Sequence, residues 1–400
     1  MFYNSLMLRR SAQARLAFLR RIFPVVTVVG PRQCGKTTLV RGELPKWRWL
    51  DLEKPRDWNI LTADPEGFFA DNPKQVIIDE AQRYPPLFPL LRHVVDQDRR
   101  SGRFVLTGSA QPAMIRQAGE SLAGRMGILE LTPFTSQELA SGANKHPSWL
   151  AQRWFWGGFP PLYQLKTAAA KREWLESYIT TFLSQDLPGL GVTVAPTRLR
   201  RFWTMAAHLH GQILSLSELA RAMDLSYHTI AHYLDILEGA FVIRRLKPYH
   251  ANVGKRLVKS PKLYIRDTGI LHSLLGLRSP ADLEGWPGIG ASFEGLVVEE
   301  LAVRMATVGS GNIFYWRTQA GAEADLILEV GRKRLAVEIK TGQGLDPRRL
   351  AGLKSCMADL GLKRGVVLYG GSERIKLGHG IEAIPWRDVQ RGGKFWPGVC

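Results

Sequence analysis

The sequence predicts an α/β protein in which a parallel-sheet domain comes first. A helical middle with a short β-wing follows, and a second α/β domain comes last. Three observations carry this reading. An apolar, β-branched run from Phe23 to Val29 leads into a glycine-rich turn and a helical segment. Apolar strand runs then alternate with helical stretches to about residue 145. Near residues 323–340, two strand-like runs carry acids and lysine at alternate positions.

The glycine-rich turn reads Gly30-Pro31-Arg32-Gln33-Cys34-Gly35-Lys36-Thr37-Thr38, the spacing G-x-x-x-x-G-K-T. Between a strand and a helix this spacing is a phosphate-binding loop of the P-loop NTPase kind. Gly30 and Gly35 let the backbone curl, so that successive N–H groups of the nine residues converge on a triphosphate. Lys36 reaches the β- and γ-phosphates, and Thr37 offers a hydroxyl to Mg²⁺. ATP and Mg²⁺ are the expected ligands, against the alternative of an ordinary glycine-rich turn; no motif separates ATP from GTP.

After a strand at 47–52, the run Gln75 to Glu80 is a short strand ending in two acids. Asp79 is placed to hold the Mg²⁺ shell and Glu80 to polarise a water against the γ-phosphate; a solvated acid pair is the alternative. The next strand, Arg103 to Ser109, ends in polar residues. If it lies between the other two, Thr107 or Ser109 can touch the γ-phosphate or the attacking water. Arg125 precedes a further strand and is a candidate for stabilising transition-state charge in its own subunit or a neighbour's; a structural salt bridge would look the same.

The segments GPRQCGKTTL (30–39), VIIDEAQRYPPLFPLLRHVVDQ (76–97), GRFVLTGSA (102–110), SLAGRMGILELTPFTSQEL (121–139) and GGFPPLY (157–163) resemble those of a bacterial and archaeal family of AAA+-type ATPases. Members of that family carry a C-terminal domain of unknown function, DUF4143. The resemblance runs from about residue 10 nearly to the C-terminus and implies an AAA+-like parallel sheet and ATP hydrolysis.

Composition points the same way. With 45% hydrophobic and 22% charged residues, the chain is expected to be a soluble globular protein rather than a disordered one. No apolar stretch reaches the length of a membrane span, and residues 1–10 lack a signal-peptide core. Cys34, Cys356 and Cys400 show no paired or metal-ligand spacing, which makes the cytoplasm the expected compartment. The formal net charge of +18 predicts a polyanionic partner, with nucleic acid favoured over a membrane surface.

The middle of the chain supports that partner. Leu214 to Met223 and Tyr227 to Leu237 read as two helices around a short turn at Leu225-Ser226, with Ser217 as the expected cap of the first. Strands are expected at Phe241 to Leu246 and Leu257 to Ile265. Arg244, Arg245, Lys247, Lys255, Arg256, Lys259 and Lys262 stand between Phe241 and Arg266 with no acid among them. A basic β-wing behind a helix-turn-helix is a winged-helix module that can meet DNA phosphates; lids and protein-docking modules share the same outline. His208, His210, His228 and His232 are read as surface or DNA-facing rather than as a zinc site. Between the two parts, the aromatic segment with Gly157-Gly158 reads as a helical connector with a candidate hinge.

The last hundred residues hold the second constellation. Ser292 to Leu301 is a helix with Glu294, Glu299 and Glu300, and Asp325 lies one strand before Glu338 and Lys340. Strand alternation puts Glu338 and Lys340 on one face. Asp325 and Glu338 can share a divalent metal with a helical glutamate, Glu299 or Glu294, while Lys340 orients water. This set is similar to that of the PD-(D/E)XK nuclease superfamily, with Ala324-Asp325 in place of its Pro-Asp pair; an alternating charged edge strand is the alternative. The resulting expectation is an ATPase domain at 1–145, a connector at 146–200, a winged helix at 201–275 and a nuclease-like domain at 285–400. Together they would bind and remodel DNA, with a homo-oligomeric ring as a candidate assembly. A nucleotide-controlled switch and an ATP-gated nuclease remain open beside it.

Overall fold

A computed structural model describes residues 8–108, 121–141, 149–189, 194–249, 257–309 and 311–396. They divide into two compact units. One spans residues up to Phe134 together with Phe159–Pro161 and Gly239–Phe241, and the other takes the rest. Among the described residues no helix is long and apolar enough to cross a membrane.

The first unit runs α1 (Ala12–Ile22), β1 (Val25–Val29), α2 (Lys36–Glu43), β2 (Arg48–Asp51), α3 (Pro55–Ala63), α4 (Pro65–Asp71), β3 (Val76–Asp79), α5 (Leu87–Gln97), β4 (Phe104–Thr107) and β5 (Met126–Glu130). The strands form one sheet in the order β2-β3-β4-β1-β5, and every pairing is parallel. β1, β3 and β4 are buried throughout, as continuous apolar runs covered on both faces must be. Val25, Val29, Leu50, Ile78 and Leu106 pack on one face with Phe69, Phe88 and Leu91. Val26, Val28, Ile77 and Val105 pack on the other with Leu16, Leu39 and Val40. β4 lies between β1 and β3, so Thr107 and Asp79 end adjacent strands.

The second unit holds two sheets. The smaller has the order β6 (Gln212–Ile213), β8 (Lys262–Ile265), β7 (Ile243–Leu246), and both pairings are antiparallel. Helices Leu216–Met223 and Tyr227–Gly239 stand in sequence between β6 and β7. The first of these is capped by Ser215, whose side chain accepts from the Glu218 amide, rather than by the expected Ser217. Asp224 in the left-handed region ends it, and Ser226 accepts from the Thr229 amide at the start of the next. The second expected strand shrinks to β8, with Leu257 left as an isolated bridge to Thr318. The larger sheet has the order β13 (Ile375–Gly378), β14 (Ile381–Pro385), β12 (Gly365–Tyr369), β11 (Lys333–Lys340), β10 (Glu323–Val330), β9 (Gly311–Arg317). Its β11, β12 and β14 run parallel, and β9, β10 and β11 antiparallel. The Ile289–Val308 helix covers one face through Phe293, Val297, Leu301 and Met305. The Ala351–Asp359 helix covers the other through Leu353 and Met357.

The Gly157-Gly158 corner is anchored rather than free. The Gly158 amide donates to Asp267 Oδ2 at 2.8 Å, and the Tyr163 hydroxyl donates to the Gly157 carbonyl at 2.7 Å.

Candidate functional site

The phosphate loop joins β1 to α2. At Gly30, φ is +153° and an added Cβ would lie 2.1 Å from the Leu131 carbonyl oxygen, so no side chain fits. Gly35 caps α2 in the left-handed region, with φ at +100°. Pro31 and Cys34 are buried, and the Cys34 thiol turns toward the Leu131 carbonyl at 3.3 Å. Arg32, Gln33, Thr37 and Thr38 are exposed. The Lys36 ammonium folds back on the loop and donates to the carbonyls of Gly30 (3.0 Å) and Pro31 (2.9 Å). Both partners are neutral acceptors, and a phosphate oxygen offers this ammonium a stronger, charge-assisted bond.

Asp79 ends β3 beside this loop and is buried. Thr37 Oγ1 donates to its Oδ2 at 3.1 Å and Thr107 Oγ1 to its Oδ1. Burial pushes the Asp79 carboxyl above its ordinary pKa, with only partial opposition from the Thr107 and Thr37 hydroxyls. A hydroxyl and a carboxylate brought together in this way are the hard oxygen donors that Mg²⁺ takes, so the residues fit a Mg-nucleotide. Glu80 follows in the left-handed region at φ +54°, uncommon outside glycine, and its Oε2 accepts from Gln82 Nε2.

Arg125 makes a two-pronged pair with Asp96 on α5, Nε to Oδ1 at 2.8 Å and Nη2 to Oδ2 at 2.9 Å. The structure thus shows Arg125 in the ion pair that was the alternative to a role at phosphate, and it would have to leave Asp96 to take up that role. Ser109 lies outside the described residues. Sequence reasoning missed Arg10. This buried side chain donates from Nη1 to the Cys34 carbonyl (2.9 Å) and from Nη2 to the Thr132 carbonyl (2.5 Å), tying the phosphate loop to the end of β5. Gln82 was also missed, although its place two residues beyond Glu80 is visible in the sequence.

The basic wing is corrected in part. Its own stretch holds no acid, but acids arrive from elsewhere in the chain. Arg244 donates to Glu299 at 2.8 Å, and Arg245 pairs with Glu238 and with Asp235 (2.7 Å to each). Lys262 is buried against Glu294 at 2.9 Å and against Glu323. Lys262 is committed inside the fold, whereas Arg244 and Arg245 are paired but half-buried. Lys247 and Lys259 are exposed and, with Arg245, Tyr249, Phe314 and the acids Glu238 and Glu329, line a groove of about 750 Å³. Lys255 and Arg256 lie outside the described residues.

On β11 the strand alternates as expected, and Lys340 Nζ reaches Glu338 Oε1 at 2.6 Å. Asp325 Oδ2 accepts from the Ile339 amide at 2.7 Å, where the β9–β10 register shifts. The helical member of the set is Glu294 and not Glu299. Glu294 Oε1 accepts from Lys262 and, at 2.5 Å, from the Tyr264 hydroxyl. Glu299 is held by Arg244 and by Arg266. Burial raises its carboxyl, but the two guanidiniums outweigh that and bring it down to about 2. Burial, together with the charges of Glu294 and Glu338, pushes Asp325 well above the carboxylate range. Among the described residues, no three His, Cys, Asp or Glu side chains are grouped to hold a metal ion. The described carboxylates are therefore not grouped as the expected nuclease metal would need, no described histidine is grouped to hold zinc, and His210, expected at the surface, is buried.

Residues 23–140 match the model of an AAA domain, and residues 289–389 match that of the domain of unknown function DUF4143. Residues 147–281 match a second domain of unknown function, DUF8612. The uncharacterized protein Rv2008c of Mycobacterium tuberculosis (strain ATCC 25618 / H37Rv) is 43% identical over 380 residues, covering 94% of this chain and 83% of that one. The uncharacterized protein Mb2031c of Mycobacterium bovis matches to the same extent. Among solved structures, the Walker-type ATPase PABY2304 of Pyrococcus abyssi is 14% identical with a TM-score of 0.47, covering 67% of this chain and 96% of that one. A signal-transduction ATPase with a tetratricopeptide repeat sensor from Pyrococcus horikoshii is 10% identical with a TM-score of 0.31, covering 76% and 50%.

Proposed function

Because this chain belongs to the family of AAA-domain proteins that carry a C-terminal DUF4143 domain, we propose that it hydrolyses Mg-ATP and couples the turnover to bound DNA. The observation that carries the ATPase reading is the meeting of Thr37, Asp79 and Thr107 beside Lys36 and Glu80. On nucleotide binding, Lys36 exchanges the Gly30 and Pro31 carbonyls for β- and γ-phosphate oxygens. Thr37 and Asp79 would hold Mg²⁺, which when bound would supply charge neutralisation across the phosphates. Glu80 leaves Gln82 and takes a proton from water as the water oxygen bonds to the γ-phosphorus. The bond from that phosphorus to the bridging oxygen breaks, and ADP and phosphate leave. Thr107 orients Asp79 throughout.

The DNA side of the reading is supported by the net charge of +18 and by the groove that presents Lys247 and Lys259 beside Tyr249 and Phe314. Ammonium groups for phosphate beside aromatic faces for bases are the chemistry of a nucleic-acid surface. The test is the steady-state rate of Mg-ATP hydrolysis, alone and with single-stranded, duplex and branched DNA, with Glu80→Gln as control. Stimulation by one DNA form, absent in the variant, is the expected result. Hydrolysis indifferent to all three would remove DNA as the partner and leave a protein partner or a nucleotide switch.

A further inference from the structure

We infer that the Lys262 ammonium takes the cation's place in the nuclease-like acidic cluster, so that in the native fold this centre holds no divalent metal. The side chain is 4% exposed and lies between Glu294, at 2.9 Å, and Glu323. Glu294 is the helical glutamate that a metal centre here would need, and its Oε1 is also taken by the Tyr264 hydroxyl. The other carboxylates are engaged as well. Glu323 Oε2 accepts from Arg317 at 2.6 Å, Asp325 Oδ2 from the Ile339 amide, and Glu338 Oε1 from Lys340.

Charge and anchoring argue the same way. The carboxyl groups of Glu294, Glu323, Asp325 and Glu338 face the cations Lys262, Lys340 and Arg317, which leaves at most one negative charge. A dication entering with Lys262 in place would overcompensate it in a poorly solvated site. Lys262 cannot easily leave, because it does not hang from a loop. Its residue is in β8, the central strand of the small sheet, in register with Ile213 on one side and Leu246 on the other. Glu338 Oε2 is the cluster's buried carboxylate oxygen without a hydrogen-bond partner. A hard divalent ion collects about six oxygen ligands, more than this atom supplies.

The test is Mn²⁺ binding to the full nucleotide-free chain, followed by loss of the free-ion paramagnetic resonance signal. Native protein, Asp325→Asn and Glu338→Gln should bind the same number of ions, because in the native fold neither carboxylate holds one. Lys262→Met should gain one Mn²⁺ per chain, and Lys262→Met with Asp325→Asn should lose that gain. A native chain that holds an ion released by Asp325→Asn or Glu338→Gln would overturn the inference. So would a folded Lys262→Met that gains none. Should Lys262→Met fail to fold, the comparison of native protein with the two carboxylate variants still decides.

Discussion

The phosphate loop and the acidic cluster use the same residue types, buried lysine and buried carboxylate, to opposite ends. At the loop, Lys36 rests on two neutral carbonyls, and Asp79 rests on two hydroxyls. No opposite charge is matched there, so both groups are disposed to receive a charged ligand. In the cluster, Lys262 and Lys340 rest directly on carboxylates, and the charges are already matched. The partner of a buried charge, more than its identity, separates a site awaiting a ligand from one closed by the protein itself.

The largest effect that tests this contrast is at the loop. Glu80→Gln should lower hydrolysis on the order of 10²–10⁴-fold while leaving nucleotide binding in place, the usual scale for a positioned base. Lys36→Ala should remove binding as well. Stopped-flow binding of a fluorescent ATP analogue beside the hydrolysis rate separates the two. A Glu80→Gln protein with native turnover would break the contrast, since the loop would then receive a ligand without acting on it.

In the second unit the expected loss is of stability. Glu299→Ala strips two guanidiniums of their buried partner and should cost about 3–5 kcal/mol, the scale for breaking a buried ion pair. It should leave Mn²⁺ binding unchanged. Urea unfolding of the variant checks the first expectation. A near-native midpoint would mean that Arg244 and Arg266 are not held as the geometry indicates.

Acid should act on the second unit before the first. His210 donates from Nε2 to the Ala291 carbonyl and accepts at Nδ1 from the Ile265 amide. His272 lies between the Phe155 carbonyl and Ser292. Burial holds them down at about 3 and about 4, below the ordinary 6.5. The unfolded chain therefore takes up these protons first. Their contribution to stability is complete above about pH 6.5 and falls as the pH drops toward 4, by about 1.4 kcal/mol per pH unit for each histidine. The first unit has a single histidine, His93, and it is exposed. Hydrogen exchange at pH 7 and 5 should show protection lost in the second unit and kept in the first.

What the sequence disclosed follows from how far apart the partners lie. The phosphate loop was legible because one contiguous motif and the ends of adjacent parallel strands build it. The pairing of two wing cations was hidden because their acids come from elsewhere: Glu294 is 32 residues from Lys262, and Glu299 is 55 from Arg244. Glu294 and Glu299 share one helix but stand about 140° apart around it at 3.6 residues per turn, so only tertiary placement assigns one to Lys262 and the other to the arginines. The cap at Ser215 in place of Ser217 is a smaller case. Two serines two residues apart both offer a hydroxyl, and the choice rests on where the preceding chain leaves β6.

Arg10 extends the contrast to a residue that no motif marks. Like Lys36, it is a buried cation bonded to carbonyls, those of Cys34 and Thr132, and its guanidinium lies over the Phe134 ring at 4.9 Å. It touches no reacting atom in this arrangement and acts by fixing where the loop's backbone lies. Arg10→Ala should therefore weaken ATP binding by about 1 kcal/mol, a factor of about five in KM, with kcat little changed. That is the opposite of the pattern expected for Glu80→Gln. Arg10→Lys, with one compact donor group in place of a two-armed fork, should recover only part of the loss. A fall in kcat without a rise in KM would move Arg10 from positioning the loop to the hydrolytic step itself. The loop's readiness for phosphate would then depend on a cation that the present geometry assigns to the backbone alone.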